Sequence, residues 1–257
     1  MHVELLNHTP RPEVQVARAA RLCYYGSDID HLKETMTPVK SAELVRKLVK
    51  MGHLSTVEHV TFTFGIEGVS RALSHQLVRH RIASYSQQSQ RYVDGENFGY
   101  VVPPSVQENE AARHTFETQM TSARAAYAIL RESGIPAEDA RFVLPNACDT
   151  KIICTFNVRS LYNFFEHRCC NRAQWEIRAL AWEMLRLCRE VAPVLFENAG
   201  PGCLHGACTE DEHDLRKAVQ KWLKQFRCKT ASSNRSLSCC SPWTGNSTGG
   251  KYGRILS

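Results

Sequence analysis

Fourteen consecutive positions, Arg79 to Tyr92, carry three arginines, a histidine, three serines and three glutamines, and not one carboxylate. The run begins where a predicted helix gives out, one N-capped by Ser70 with Leu73 and Leu77 four apart. Guanidiniums gathered without carboxylates repel one another unless something anionic lies among them, and their planar forks match phosphate oxygens. Gln76 and Arg79, three apart, project from the same side of that helix. Serine hydroxyls and glutamine amides add neutral donors, and a glutamine amide can read the polar edge of a base. Ile82, Ala83 and Tyr85 are interleaved as if the segment packs. The physical reading is a site for one or two nucleotides; the competing reading is a solvated basic loop.

The rest of the 257-residue chain supports a folded body around that run. It is 43% hydrophobic, which suits one domain or two small ones with a core that needs no staples. Val3 and Leu5 predict a first strand, and Val60 to Ile66 alternate with period two as a second. A helix is predicted to open at Ser41, carry Leu44, Leu48 and Met51 on one face, and end at Gly52. Phe116, Met120, Ala123, Tyr127 and Leu130 mark one face of a helix over 113–133. Pro136 opens a short helix that Pro145 ends. Val158, Leu161 and Phe165 mark a helix over 158–168, and a wide apolar stripe marks another over 174–191. The fold class is therefore α+β, a mixed sheet with packed helices.

Charge is segregated. Residues 215–257 hold nine Lys/Arg and no acid, so residues 1–214 sum to 23 basic against 26 acidic, or −3. The division expected is a body over 1–227 and a basic, Ser/Gly-rich, disordered tail over 228–257. Eleven cysteines, an odd number without an export signal, read as reduced thiols in a cytoplasmic protein. No apolar run approaches the length of a membrane span. Cys169, Cys170, Cys203 and Cys208 with His205 nearby could hold a metal, but adjacent cysteines rarely both ligate one ion, so they are read as buried or free thiols and no metal is expected. Gly245 to Lys251 fits part of a P-loop, but Tyr252 follows where Ser or Thr is needed.

Two further clusters carry chemistry. Asn157, Arg159, Asn163, Arg168 and Arg172 punctuate the helix over 157–172. Arg168 lies on its apolar face and needs an anionic partner, either a structural carboxylate such as Glu166 or Glu176 or a ligand. Gly52 to His59 forms a polar turn between helix and strand, and Arg141 sits in the proline-bounded helix.

Arg79-His80-Arg81, Ser84, Ser89 and Arg91, in that spacing, resemble the signature of the flavin-dependent thymidylate synthases. The likeness continues in Gly52-His53 with Ser55 and Glu58-His59, in Arg141 to Pro145, and in Asn157-x-Arg159-Ser160-Leu161 with Asn163, Arg168 and Ala173 to Glu176. The family often has Asn at Ser86, Glu at Gln87 and His at Arg172, so this sequence departs there. The resemblance implies that family's fold in a homotetramer with active sites shared between subunits. It implies FAD-dependent reductive methylation of dUMP to dTMP, with methylenetetrahydrofolate as one-carbon donor and NADPH as reductant. By similarity Ser55, Arg79, His80, Arg81, Gln87, Asn157, Arg159 and Asn163 would meet FAD. Gln76, Arg79, Gln87, Ser89, Arg91, Arg141 and Arg168 would meet dUMP, with Arg168 catalytic. Other classes consistent with the residues are a non-catalytic nucleic-acid binder and a flavin-dependent RNA uracil methyltransferase.

Overall fold

A computed structural model describes residues 1–207 other than Ser27, Asp94 and Glu96, together with the side chains of all of these but Thr35. The chain divides into two units, Met1–Pro201 and Gly202–Ser257. Of the second, the described part is a short 3-10 turn, Gly202–Leu204, and the residues after it to 207. The tail expected over 228–257 lies outside the described residues.

Four strands build one sheet in the order β1-β2-β4-β3: β1 His2–His8, β2 Thr61–Ser70, β3 Ala83–Gln87 and β4 Asp149–Asn157. Every pairing is antiparallel, so the expectation of a mixed sheet is corrected. The reason is connectivity. Parallel neighbours need a crossover that returns the chain to the same end of the sheet, and none of these three neighbouring pairs is joined that way. β2 is the period-two run read from the sequence, extended to Ser70. It buries Phe62, Phe64, Ile66 and Val69, while the partner strand β4 buries Thr150, Ile152, Cys154 and Phe156.

Nine α-helices occur among the described residues: α1 Pro12–Leu22, α2 Ile29–Thr35, α3 Pro38–Lys50, α4 Arg71–Leu77, α5 Pro104–Gln107, α6 Glu110–Glu132, α7 Ala137–Ala140, α8 Val158–Arg168 and α9 Trp175–Val191. The helix predicted from Ser41 starts three residues earlier. Thr37 caps it by accepting from Lys40 N, and Pro38 supplies the fixed φ of a first helical residue. Ser41 instead lies inside the helix and returns its hydroxyl to the Thr37 carbonyl at 2.8 Å. Gly52 ends the segment with φ +75°, a conformation that favours glycine.

The core lies where α8 and α9 meet the sheet. Phe62, Phe156, Phe164, Phe165 and Phe196 are buried there, with ring pairs such as Phe62–Phe196 meeting edge-on at 5.4 Å. Three polar helix ends border this core: the C-terminal end of α4 and both ends of α8. No helix among the described residues is long and apolar enough to cross a membrane.

A candidate nucleotide and flavin site

The first turn of α4 is fixed from three sides. Ser70 Oγ accepts from Leu73 N at 3.0 Å as the N-cap, and the same hydroxyl donates to Glu176 Oε2. Glu176 Oε1 accepts Ser70 N at 2.7 Å, so both carboxylate oxygens of a side chain only 3% exposed serve one residue. The backbone N–H groups of Arg71 and Ala72 donate to the carbonyls of Cys148 and Asn146. Glu176 itself enters α9 beneath Gln174, whose Oε1 accepts from the N–H of Glu176 and Ile177. It is therefore committed to α4 and is not the partner of Arg168.

The basic run is not a continuous loop, as its composition suggests. The chain turns at His80 and then forms β3, an edge strand. Tyr85 Oη lies 2.9 Å from the Leu77 carbonyl and 2.8 Å from that of His80, clasping the end of α4 to the strand. Its ring packs edge-on against Phe156 at 5.8 Å, so Tyr85 packs as expected, whereas Ile82 is exposed.

Arg168, at the end of α8, donates Nε to His80 Nε2 at 3.0 Å. An acceptor Nε2 requires the proton on Nδ1, and the Asn163 side chain accepts a hydrogen bond from that ring. Burial first, and Arg168 second, push His80 down to about 4, with His167 adding a little and the Asn163 bond opposing. The imidazole is thus neutral near pH 7, packed edge-on against Phe164 at 5.0 Å. Burial first, then Arg79, pull the Arg168 guanidinium below its ordinary value. Among the described residues no carboxylate pairs with Arg79, Arg81 or Arg168, and Arg79 and Arg81 are exposed.

That histidine gives a prediction with a definite sign. Its folded value lies below the ordinary 6.5, so between 6.5 and about 4 the unfolded chain binds the extra proton. The contribution of neutral His80 to stability is complete above pH 6.5 and is lost as pH falls toward 4. Wild type is expected to lose more stability between pH 7 and 5 than His80→Gln, measured by denaturant unfolding of each at both values.

A second group forms around Arg71 and Arg141. Arg71 donates Nη2 to the Gln88 carbonyl at 2.9 Å, while its buried Nε has no acceptor among the described residues. Arg141 lies close enough to depress it, after the larger effect of burial. Arg141 donates Nε to the Glu138 carbonyl at 3.0 Å, and the Glu138 carboxylate pairs with Arg91 at 2.8 Å. Arg91 therefore has an acid, supplied from α7 rather than from its own run. Ser89 Oγ accepts the N–H of Arg91 at 3.1 Å and shapes that turn.

The third group is shallow. Arg159 pairs with Glu58, both about half exposed, beside the exposed Ser55 in the 3-10 turn Ser55–His59. Such a pair is worth at most about 1 kcal/mol, so a ligand can take Arg159 cheaply. Glu58→Gln is expected to change unfolding free energy by less than about 1 kcal/mol in urea titration. Asn157 spends Oδ1 on the N-cap of α8, accepting from Ser160 N at 2.8 Å, which leaves its amide hydrogens as donors. Gln87 donates Nε2 to Thr150 Oγ1 at 3.3 Å, and Gln76 donates to the Ala72 carbonyl at 3.3 Å.

The fold therefore brings Arg79, His80, Asn163 and Arg168 together, and brings Ser89 and Arg91 to Arg141. Arg81 is exposed near the first group, and Ser55 and Arg159 stand with Glu58. Among the described residues no ion pair or side-chain hydrogen bond joins one group to another. Arg71 and Glu176 were not singled out as site residues from the sequence. Arg71 lies eight positions before the run, and only tertiary structure shows what Glu176 holds.

These residues fit anionic ligands. A buried Arg71 Nε without an acceptor and an Arg168 whose partner is neutral both retain positive charge for an incoming group. The two thiols on and just before β4 do not compete for a catalytic role. Burial raises Cys148 to about 11 and Cys154 to about 12, which leaves them protonated and inert. Among the described residues no three His, Cys, Asp or Glu side chains come together to hold a metal, and Cys208 lies outside them.

Comparison with known proteins gives the same direction. Residues 4–194 match the family model of the thymidylate synthase complementing proteins. The chain is 57% identical over 222 residues to a flavin-dependent thymidylate synthase of Geobacter sulfurreducens, covering 86% of this chain and 96% of that protein. A flavin-dependent thymidylate synthase of Clostridium tetani is 47% identical over 234 residues, 85% of this chain and 94% of the relative. One from Pyrococcus furiosus is 39% identical over 243 residues, 90% of this chain and all of the relative. With the guanidiniums placed as described and the match running through all four strands to the end of α9, the chain belongs to the flavin-dependent thymidylate synthase family.

Proposed function

We propose that this protein converts dUMP to dTMP by FAD-dependent reductive methylation, with methylenetetrahydrofolate as one-carbon donor and NADPH as reductant. The observation that carries the reading is Arg168, a half-buried guanidinium with a neutral partner and Arg79 beside it. A cation that cannot give up its proton favours loss of the N3 proton from a pyrimidine next to it, and partial desolvation strengthens that field. The ionised ring is richer in electrons at C5, the carbon that takes the new group. His80 holds Arg168 through Nε, which leaves both terminal nitrogens of the guanidinium for the base. Gln76, Arg79, Gln87, Ser89, Arg91 and Arg141 bind the rest of dUMP. Ser55, Arg79, His80, Arg81, Gln87, Asn157, Arg159 and Asn163 hold FAD, the hydride carrier between NADPH and the pyrimidine.

The site is completed in a homotetramer. Two observations support this. The three groups of residues stay separate within one chain. Large apolar side chains flank them, with Ile82 76% exposed, Tyr92 83% and Phe142 82%. Light scattering of the purified protein is expected to give four chains per particle, and a monodisperse monomer that still makes dTMP would contradict the shared site. The free thiols among the described residues support a cytoplasmic setting.

The test is direct. Purified protein given dUMP, methylenetetrahydrofolate, NADPH and FAD is expected to form dTMP, and to stop when any one of them is left out. Formation of methylated uridine in RNA but not dTMP would move the assignment to the RNA enzyme. Deleting residues 229–257 is expected to leave the rate within about twofold, because the family match ends at residue 194.

A further inference from the structure

The last residues of a helix leave carbonyls without an intrahelical partner. At the end of α4 these are met from the neighbouring strand. The Tyr85 hydroxyl shares its single proton between the Leu77 carbonyl at 2.9 Å and the His80 carbonyl at 2.8 Å. The Leu77 carbonyl also takes the N–H of His80 at 3.2 Å, so the turn that delivers Arg79 and His80 is closed on itself and on β3. Pairing with Cys154 of β4 holds Tyr85 in the strand. Burial first, then Cys154, raises the phenol well above its ordinary value, so it stays a donor. A continuous path of rings leads from Tyr85 back to the same histidine. Tyr85 meets Phe156, Phe156 meets Phe164 at 5.7 Å, and Phe164 meets the His80 ring edge-on. His80 is thus held by its carbonyl on one side and by its ring on the other. That ring is the acceptor for Arg168 Nε. An arginine side chain has several freely rotating bonds, so its direction is set by the group that holds it.

We infer that the Tyr85 hydroxyl is a positioning group for the reaction: by fixing the backbone of His80 it sets the direction in which Arg168 faces the pyrimidine. The hydroxyl is spent on two carbonyls and acts on the reaction only through His80. This rests on the reading of Arg168 as the group that acts on dUMP. A hydroxyl that merely steadied the fold would leave a different trace. Misplacing by about 1 Å a group that acts in the transition state costs rate more than ground-state affinity.

The experiment measures single-turnover dTMP formation, dUMP Kd, FAD content and melting temperature on FAD-loaded protein. It compares wild type, Tyr85→Phe, Tyr85→Leu, Arg168→Ala and the double variant Tyr85→Phe with Arg168→Ala. Tyr85→Phe keeps the ring against Phe156 and removes the hydroxyl. It is expected to slow the reaction about 10- to 50-fold, with dUMP Kd within about threefold, FAD content unchanged and melting temperature within about 5 °C. Tyr85→Leu, which removes the ring as well, is expected to lower the melting temperature further with at most about a threefold additional loss of rate. With Arg168 already gone, loss of the hydroxyl is expected to cost less than about twofold more. The same factor in both backgrounds would make the hydroxyl a general support and overturn the inference. A wild-type rate in Tyr85→Phe would overturn it too, as would loss of FAD in step with the rate, or failure of both Tyr85 variants to fold. If wild type makes no dTMP, the proposed function fails and this inference with it. If wild type makes dTMP and Tyr85→Phe matches it, only the Tyr85 assignment falls.

Discussion

Arg168→Ala is expected to lower turnover by about 100- to 1,000-fold while bound FAD stays near the wild-type level, the scale of losing one preorganised electrostatic group. The reason lies in what Arg168 touches. Its Nε is spent on His80, a neutral ring that supplies an acceptor and no counter-charge. The positive field around the guanidinium is therefore available to the pyrimidine. In the proposed site FAD is held by several residues around α4, α8 and the 55–59 turn, so removal of one side chain should not release it. Arg168→Lys should recover little, because a lysine cannot both reach His80 and present two planar donors. Single-turnover rates and flavin absorbance of the same preparation separate the outcomes. Loss of flavin with normal turnover per remaining flavin would make Arg168 a cofactor ligand rather than a catalytic residue.

Glu176→Ala is expected to cost about 2–4 kcal/mol of stability, because it takes the acceptor from two buried donors of Ser70. Its effect reaches the chemistry through α4. Ser70 is both the N-cap of that helix and the ligand of Glu176, and the far end of the same helix delivers Gln76, Arg79 and His80. Glu176→Gln keeps an acceptor for Ser70 and should cost about half as much. Urea unfolding gives the stability, and the Kd of dUMP reports whether α4 has shifted. Wild-type stability in Glu176→Ala would mean the Ser70–Glu176 clasp is dispensable.

What the sequence shows most clearly is periodicity. β2, α6, α8 and α9 stand close to where their apolar spacing puts them, since each buries a regular stripe. β3 is a different case. It is an edge strand with no fully buried residue, held by backbone pairing to β4, and its Ser and Gln content looks like loop. β4 carries a readable alternation of Thr150, Ile152, Cys154 and Phe156, broken by the exposed Ile153, which obscures the pattern. At α3 the better signal was Thr37-Pro38, a cap followed by a residue with the right φ, rather than Ser41.

The candidate site divides in the same way. Residue types and spacing were enough to point to guanidiniums without acids, and Arg79, Arg81, Arg141 and Arg168 remain unpaired with carboxylates among the described residues. The acids that reach Arg91 and Arg159 come from Glu138 and Glu58, the latter 101 positions away, and spacing cannot show such pairs. Nor could spacing choose between Glu166, Glu176 and a ligand for Arg168. The fold answers with His80, 88 residues away, because Glu176 already belongs to Ser70.

The central claim is that these cations stay unmatched within the chain because two anionic ligands, flavin and nucleotide, occupy the assembled site. The visible spectrum of FAD-reconstituted protein during a dUMP titration tests both ligands in one cuvette. A retained flavin band that shifts saturably with dUMP is the expected result. A protein that holds no flavin after reconstitution, or whose flavin band is unmoved by dUMP, would contradict the account.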